Sequence, residues 1–215
     1  MTRGARVAVP VRRKAVWGGE LGRLAGGMTI AALALTSASC GDLTRQGTAS
    51  SYLIVGGLEA ASGADPSTFG GTLNSDVITV VDDVPTVFND LGRVRLRLAM
   101  KDTLTEPTSN NFITVNRYRV TYVRADGRNT PGVDVPYPFD GAFTGTVGSG
   151  GEVTIGFELV RHIAKGEAPL AALARNFVII STIAQITFYG HDQTGREVSV
   201  DGQILVSFGN FGDPD

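Results

Sequence analysis

Residues 93–100 read RVRLRLAM. Val94, Leu96, Leu98 and Met100 fall on one side of this stretch, and Arg93, Arg95 and Arg97 on the other. In an extended chain successive side chains point to opposite faces, so a period of two describes a strand with one face in a core and one in water. Residues 112–124 (FITVNRYRVTYVR) read as the longest strand. Ile113 and Val115 keep one phase, while Tyr118, Val120 and Tyr122 keep the other. One extra residue near Asn116 reconciles the two phases as a β-bulge.

The same reading extends outward in both directions. Residues 52–55 form a first short strand, and residues 76–81 (DVITVV) are rich in the β-branched types that suit strands. Residues 142–147 and 152–160 flank a GSGG sequence and are expected to pair as a hairpin. Residues 178–189 and 197–208 flank HDQTGR and predict a second hairpin, with Ile204, Val206 and Phe208 in one phase. Asp126-Gly127 marks a tight turn. Residues 169–176 (PLAALARN) differ. Pro169 suits the first turn of a helix, and Leu170, Leu173, Ala174 and Phe177 fall close to one helical face. This predicts a short helix crossing between two sheets.

Seven to nine short strands with closely spaced turn signals predict an all-β fold, an antiparallel β-sandwich with one short crossover helix. No internal repeat divides the chain, so one domain is expected over residues 52–215. The strand pattern resembles immunoglobulin-like and fibronectin type III-like sandwiches. The inter-sheet cysteine pair of true immunoglobulin domains is absent, because Cys40 is the only cysteine, and the single tryptophan, Trp17, lies in the N-terminal segment.

Charge separates that N-terminal segment from the rest. Residues 1–39 carry six basic residues against Glu20 alone, whereas the remainder carries 13 basic against 20 acidic. The apolar run from Leu24 to Leu35 is too short to span a bilayer, which takes about 20 residues. Basic, then apolar, then small residues is the order of a signal peptide, expected over 1–39. The sequence Ala38-Ser39-Cys40 resembles a bacterial lipobox, with Ser37 standing where the family usually has leucine. That resemblance implies a lipid on Cys40, a flexible tether over 40–51 and an address in the cell envelope. With Asp42 one place removed from the retention position of enteric bacteria, it favours the outer membrane or periplasmic face. The alternative is ordinary cleavage and secretion with Cys40 as a free thiol. Arg12-Arg13 lacks the flanking residues of a twin-arginine signal.

The acidic body argues against nucleic acid, which needs a basic footprint. His162 and His191 have no further histidine or cysteine at zinc-ligand spacing. Two aspartate groups, Asp82-Asp83 with Asp90 and Asp126 with Asp134 and Asp140, offer loop oxygens to calcium, yet neither matches an EF-hand. Their ordinary role is turn formation. No G-x-S-x-G elbow or phosphate loop occurs, Ser149 lies in an expected turn, and nothing selects a carboxylate pair for glycoside hydrolysis. No catalytic residue, cofactor or metal is therefore assigned.

Two surface features remain as binding candidates. Arg93, Arg95 and Arg97, with Arg117 and Arg119 on a neighbouring strand, could present a cationic face to anionic glycans or headgroups. Otherwise they pair with acidic residues of adjacent strands. In residues 131–140 (PGVDVPYPFD), Pro136 and Pro138 hold the chain extended, so Tyr137 and Phe139 could reach a partner or a sugar. The alternative is that both rings cover the end of the core. The function expected is a non-catalytic envelope module that interacts through loops at one end. A carbohydrate-binding module and an envelope hydrolase are the other readings.

Overall fold

The structure, a computed structural model, describes residues 47–211. The expected signal peptide, Cys40 and the first part of the expected tether lie outside the described residues.

The described chain is an all-β fold. Its strands are β1 (Ser51–Ala61), β2 (Thr72–Asp76), β3 (Thr79–Val81), β4 (Val84–Thr86), β5 (Asp90–Met100), β6 (Ile113–Val123), β7 (Phe139–Val147), β8 (Glu152–Val160), β9 (Ile180–Asp192) and β10 (Glu197–Gly209). They form a three-stranded sheet in the order β1-β5-β8, a five-stranded sheet in the order β2-β10-β9-β6-β7, and the small β3–β4 hairpin. Neighbours are antiparallel except β2, which lies parallel to β10.

Alternation builds one core between the two larger sheets. Val94 and Leu96 on β5, Val120 on β6, Ile186 and Phe188 on β9, and Val206 and Phe208 on β10 are all fully buried. Each such side chain contributes roughly 1.5–3 kcal/mol relative to exposure. The Phe157 ring on β8 meets Phe188 on β9 edge-on at 5.4 Å and Tyr118 on β6 at 5.1 Å. Burial of the RVRLRLAM stretch fades along its length, with Leu98 and Met100 only half-buried. In β6 the register shifts between Val115 and Arg117 against both neighbours, which leaves Asn116 as the extra residue. Ile113 and Val115 before it, and Tyr118, Val120 and Tyr122 after it, all face the core.

Several expectations are corrected. Residues 142–147 and 152–160 are strands but not a hairpin: β7 pairs with β6 in one sheet and β8 with β5 in the other. The flexible GSGG turn carries the chain across the core, because each strand finds a better-matched neighbour elsewhere. Residues 76–81 are not one strand, since Val77 turns into the core between β2 and β3. β1 is far longer than 52–55, and its register shifts between Val55 and Gly57. The crossover helix exists as a 3-10 helix (Leu170–Arg175) with Leu170 and Leu173 buried, but Phe177 is 96% exposed instead of sharing their face. An unexpected turn of α-helix, α1 (His162–Lys165), precedes it. The described residues of the expected tether, 47–51, pack on the domain: Ala49 is buried, the Ser51 hydroxyl donates to the Asn111 carbonyl at 2.7 Å, and Lys101 Nζ donates to the Gly47 carbonyl at 3.0 Å.

The topology gives the molecule two ends. β1 starts at the near end, where Ser51 lies opposite Met100. At the far end Ala61 lies opposite Leu91, Asp90 opposite Val160, and Gly209 opposite Asp76. Cross-sheet hydrogen bonds from Ser75 Oγ to Asp90 Oδ2 (2.6 Å) and from Tyr122 Oη to the Leu159 carbonyl (2.6 Å) show that both sheets finish there together.

Candidate functional site

Three connections meet at the far end: residues 77–89 with the β3–β4 hairpin, residues 124–138 between β6 and β7, and residues 161–179 between β8 and β9. The last carries the strongest signal. Its 3-10 helix closes where Asn176 N–H donates to the Leu173 carbonyl, and Asn210 Nδ2 pins the Ala174 carbonyl at 3.2 Å. Beyond it the Val178 N–H donates to the Asn176 carbonyl at 2.8 Å in a tight turn, and Phe177, Val178 and Ile179 are 96%, 60% and 57% exposed before Ile180 re-enters the core.

The neighbouring connections add to this. Val81 and Val84 are register partners across a hairpin whose tip residues, Asp82 and Asp83, have φ of 50° and 65°. That left-handed pair makes the primed turn favoured in two-residue hairpins, and aspartate tolerates it better than most residues. Both valines, and Val87 after them, are exposed. Val133 and Tyr137 are exposed on the second connection and Ile163 on the third. Of the 13 large apolar side chains exposed among the described residues, these nine lie at the far end. Single exposed apolar residues need no explanation; here nine are collected at one end.

A buried polar cluster underlies this end. Asp90 Oδ2 lies 2.9 Å from Lys165 Nζ, with both side chains essentially inaccessible. Asp90 also accepts from Ser75 Oγ at 2.6 Å and from Gly63 N–H at 2.9 Å. One carboxylate therefore ties the starts of β5 and of the β8–β9 connection to β2 and to the segment after β1. Sequence reasoning placed Asp90 with Asp82 and Asp83 and passed over Lys165. The signal that could have found the pair, a lysine beside an apolar run, is too common to be informative.

The arginine row is paired with two glutamates of its neighbouring strands, which leaves one positive charge in excess. Arg93 Nη2 pairs with Glu59 of β1 at 2.6 Å, Arg95 lies 3.7 Å from both Glu59 and Glu152 of β8, and Arg97 lies 3.9 Å from Glu152. The Arg93 guanidinium also sits 4.0 Å over the Phe69 ring. A Cβ at Gly57 would overlap the Arg95 guanidinium, so the β1 bulge makes room for the row. Hydrogen bonding to Arg93 holds the Glu59 carboxyl below its usual range. Arg117 and Arg119 do not extend this row: they stand on the other sheet and share Asp140 at 3.7 and 2.7 Å.

Tyr137 and Phe139 part company. Val135 and Pro136 anchor the loop in the core, and Tyr137 stands exposed against Gly132. Phe139 is half-buried, with the Arg161 guanidinium 4.0 Å over its face and Tyr118 edge-on at 6.2 Å. Its ring face is therefore occupied, and the two aromatics do not form a free stacking pair.

The remaining titratable groups are engaged locally. Arg124 grips Asp126 through two bonds of 2.6 and 3.1 Å, and this grip, joined by Arg128, pushes the Asp126 carboxyl far down. Asp134 accepts from Thr130 N–H at 3.2 Å. His162 Nδ1 lies 2.8 Å from Asn89 Oδ1 at the far end, while His191 stands opposite Glu197 in the β9–β10 register at the near end. A depression of about 240 Å³ beside β1 and β2 is lined in part by Ser62, Asp65, Thr68 and Asn74, and Asp65 is turned to its own loop, accepting from Ser67 Oγ at 2.7 Å. Among the described residues no three His, Cys, Asp or Glu side chains gather as metal ligands, and no helix is long and apolar enough to cross a membrane. Comparison of the chain with protein-family models, with curated proteins and with solved structures finds no match.

Proposed function

We propose that this chain is a non-catalytic cell-envelope module: an immunoglobulin-like sandwich, lipid-anchored through Cys40, that presents its far end to a partner. The fold reading is supported by sheet order. Taking β1, β5, β6, β7, β8, β9 and β10 as the successive strands of such a domain puts the first, second and fifth in one sheet and the others in the second. That resembles the immunoglobulin partition without the fourth strand of its first sheet, with β7 as the extra edge strand of the variable type and β2 added beside β10.

The observation that carries the functional reading is the concentration of exposed apolar residues at the end opposite the start of β1. The first described residues lie at the near end, so an anchor on Cys40 would attach at the end opposite Phe177, Val178 and Ile179. The glycan-binding reading is weaker, since one face of the half-buried Phe139 ring is covered by Arg161. The hydrolase reading is weaker too, since His162 and His191 lie at opposite ends.

Two measurements test this. The mature protein from its native membrane should begin at Cys40 and carry acyl chains, and Cys40→Ala should lose them; an unmodified secreted chain overturns the anchor. A photo-reactive residue at position 177, irradiated in living cells, should yield a protein adduct that the same probe at Leu104, exposed at the near end, does not. Lipid adducts alone, or equal yields at both places, overturn the outward-facing tip.

A further inference from the structure

We infer that Lys165 and Asp90 condense into an intramolecular isopeptide bond that covalently ties the β8–β9 connection to the start of β5. The amine nitrogen and a carboxylate oxygen are 2.9 Å apart, and the two side chains are 1% and 0% exposed. They are held on separate elements that the core keeps in register, so the reactants are at very high effective concentration.

The surroundings favour the reaction. Two ions withdrawn from water are costly even when paired, whereas an amide is neutral. A proton passing from Nζ to Oδ2 across this contact gives a neutral amine beside a carboxylic acid. Nζ then attacks Asp90 Cγ. Charge develops on Oδ1, which faces the Gly63 N–H at 2.9 Å. Such a donor stabilises a tetrahedral oxyanion. Oδ2 departs as water. One of its protons is the one already transferred, and the second comes from the nitrogen as it becomes the amide. Ser75 Oγ, which donates to Oδ2 at 2.6 Å, is placed to relay it. One C–N bond forms, one C–O bond breaks, one water leaves, and no oxidant or co-reactant is needed.

The bond would also give this domain a covalent staple that its sequence cannot otherwise supply, because the chain has a single cysteine. It would close the chain between residues 90 and 165 and fix the base of the apolar far end.

The test is a tryptic map of the purified full chain with mass determination. Cleavage after arginine and lysine places Asp90 in the peptide 46–93 and Lys165 at the end of the peptide 162–165. The expected product is a branched species in which 46–93 is joined to 162–175, one water lighter than the sum of its parts and uncut after Lys165. Lys165→Arg should abolish it and restore the full sequence mass. Free peptide 162–165 with no branched species would overturn the bond and leave an ion pair. So would a water loss that persists in Lys165→Arg, since a succinimide at Asp126 or Asp140, each followed by glycine, has the same mass.

Discussion

Tyr122 shows how a single side chain couples packing to pH. Its ring packs against Phe208 at 5.5 Å, and its hydroxyl donates to the Leu159 carbonyl across the core. Burial drives the phenol far above the ordinary tyrosine value of 10.0. The unfolded chain therefore releases this proton as pH rises past 10.0 while the folded chain keeps it. The unfolded state then binds fewer protons, so stability falls with rising pH in that range. Tyr122→Phe should flatten the alkaline decline, leaving the smaller share of Tyr118, whose phenol burial also raises. At neutral pH it should cost about 1–3 kcal/mol, because the buried carbonyl loses its donor. Urea titrations at neutral and alkaline pH measure both effects, and an unchanged alkaline slope contradicts the assignment.

At the scale of elements, the bulge in β6 decides which side chains face the core. A strand shifted by one residue turns every side chain to the other face. Deleting Asn116 removes the extra residue, restores one-to-one pairing with β9, and keeps Ile113, Val115, Tyr118, Val120 and Tyr122 on the core face, whereas deleting Arg119 turns either Tyr118 or the pair Val120 and Tyr122 outward. The Arg119 deletion should cost about 1.5 kcal/mol or more from the loss of that burial, and the Asn116 deletion should cost less. Two residues inserted between Ser149 and Gly150, both exposed in the sheet-crossing loop, should cost about 0.6 kcal/mol or less. Thermal and urea unfolding of the three variants compare them directly; an Asn116 deletion as costly as the Arg119 deletion would contradict this register. The GSGG turn was read as a hairpin because a glycine-rich connection of that length suits either geometry. Local sequence reports the turn but not which strand each partner chooses.

For the molecule as a whole, the far end separates stability from interaction. Phe177 is 96% exposed, so Phe177→Ser should change unfolding free energy by no more than about 0.5 kcal/mol. The same change should remove the protein adduct formed at the tip, read with a photo-reactive residue at Val178. A loss of stability above 1 kcal/mol, as judged against that ordinary surface range, would place Phe177 in the fold instead.

Local alternation was enough to reveal an all-β chain, the two phases of β6 and the residue between them, the pairing of β9 with β10, and a short helix before β9. Each of these depends on neighbours in sequence, since side-chain direction in a strand reverses at every residue. The arginine row was legible as a strand face, but its pairing with Glu59 and Glu152 was not, because those partners lie 34 and 57 positions from Arg93 and Arg95 and meet them only through sheet register. Phe177 sat at helical spacing with Leu170 and Leu173, and it escaped their face because the helix ends at Arg175. Asp90 and Lys165 could not be paired from sequence at all. Their meeting requires β5 and β8 to lie side by side and the chain to turn back beneath the far end, and a buried ion pair leaves no local pattern, only a place in the packed fold where water is absent.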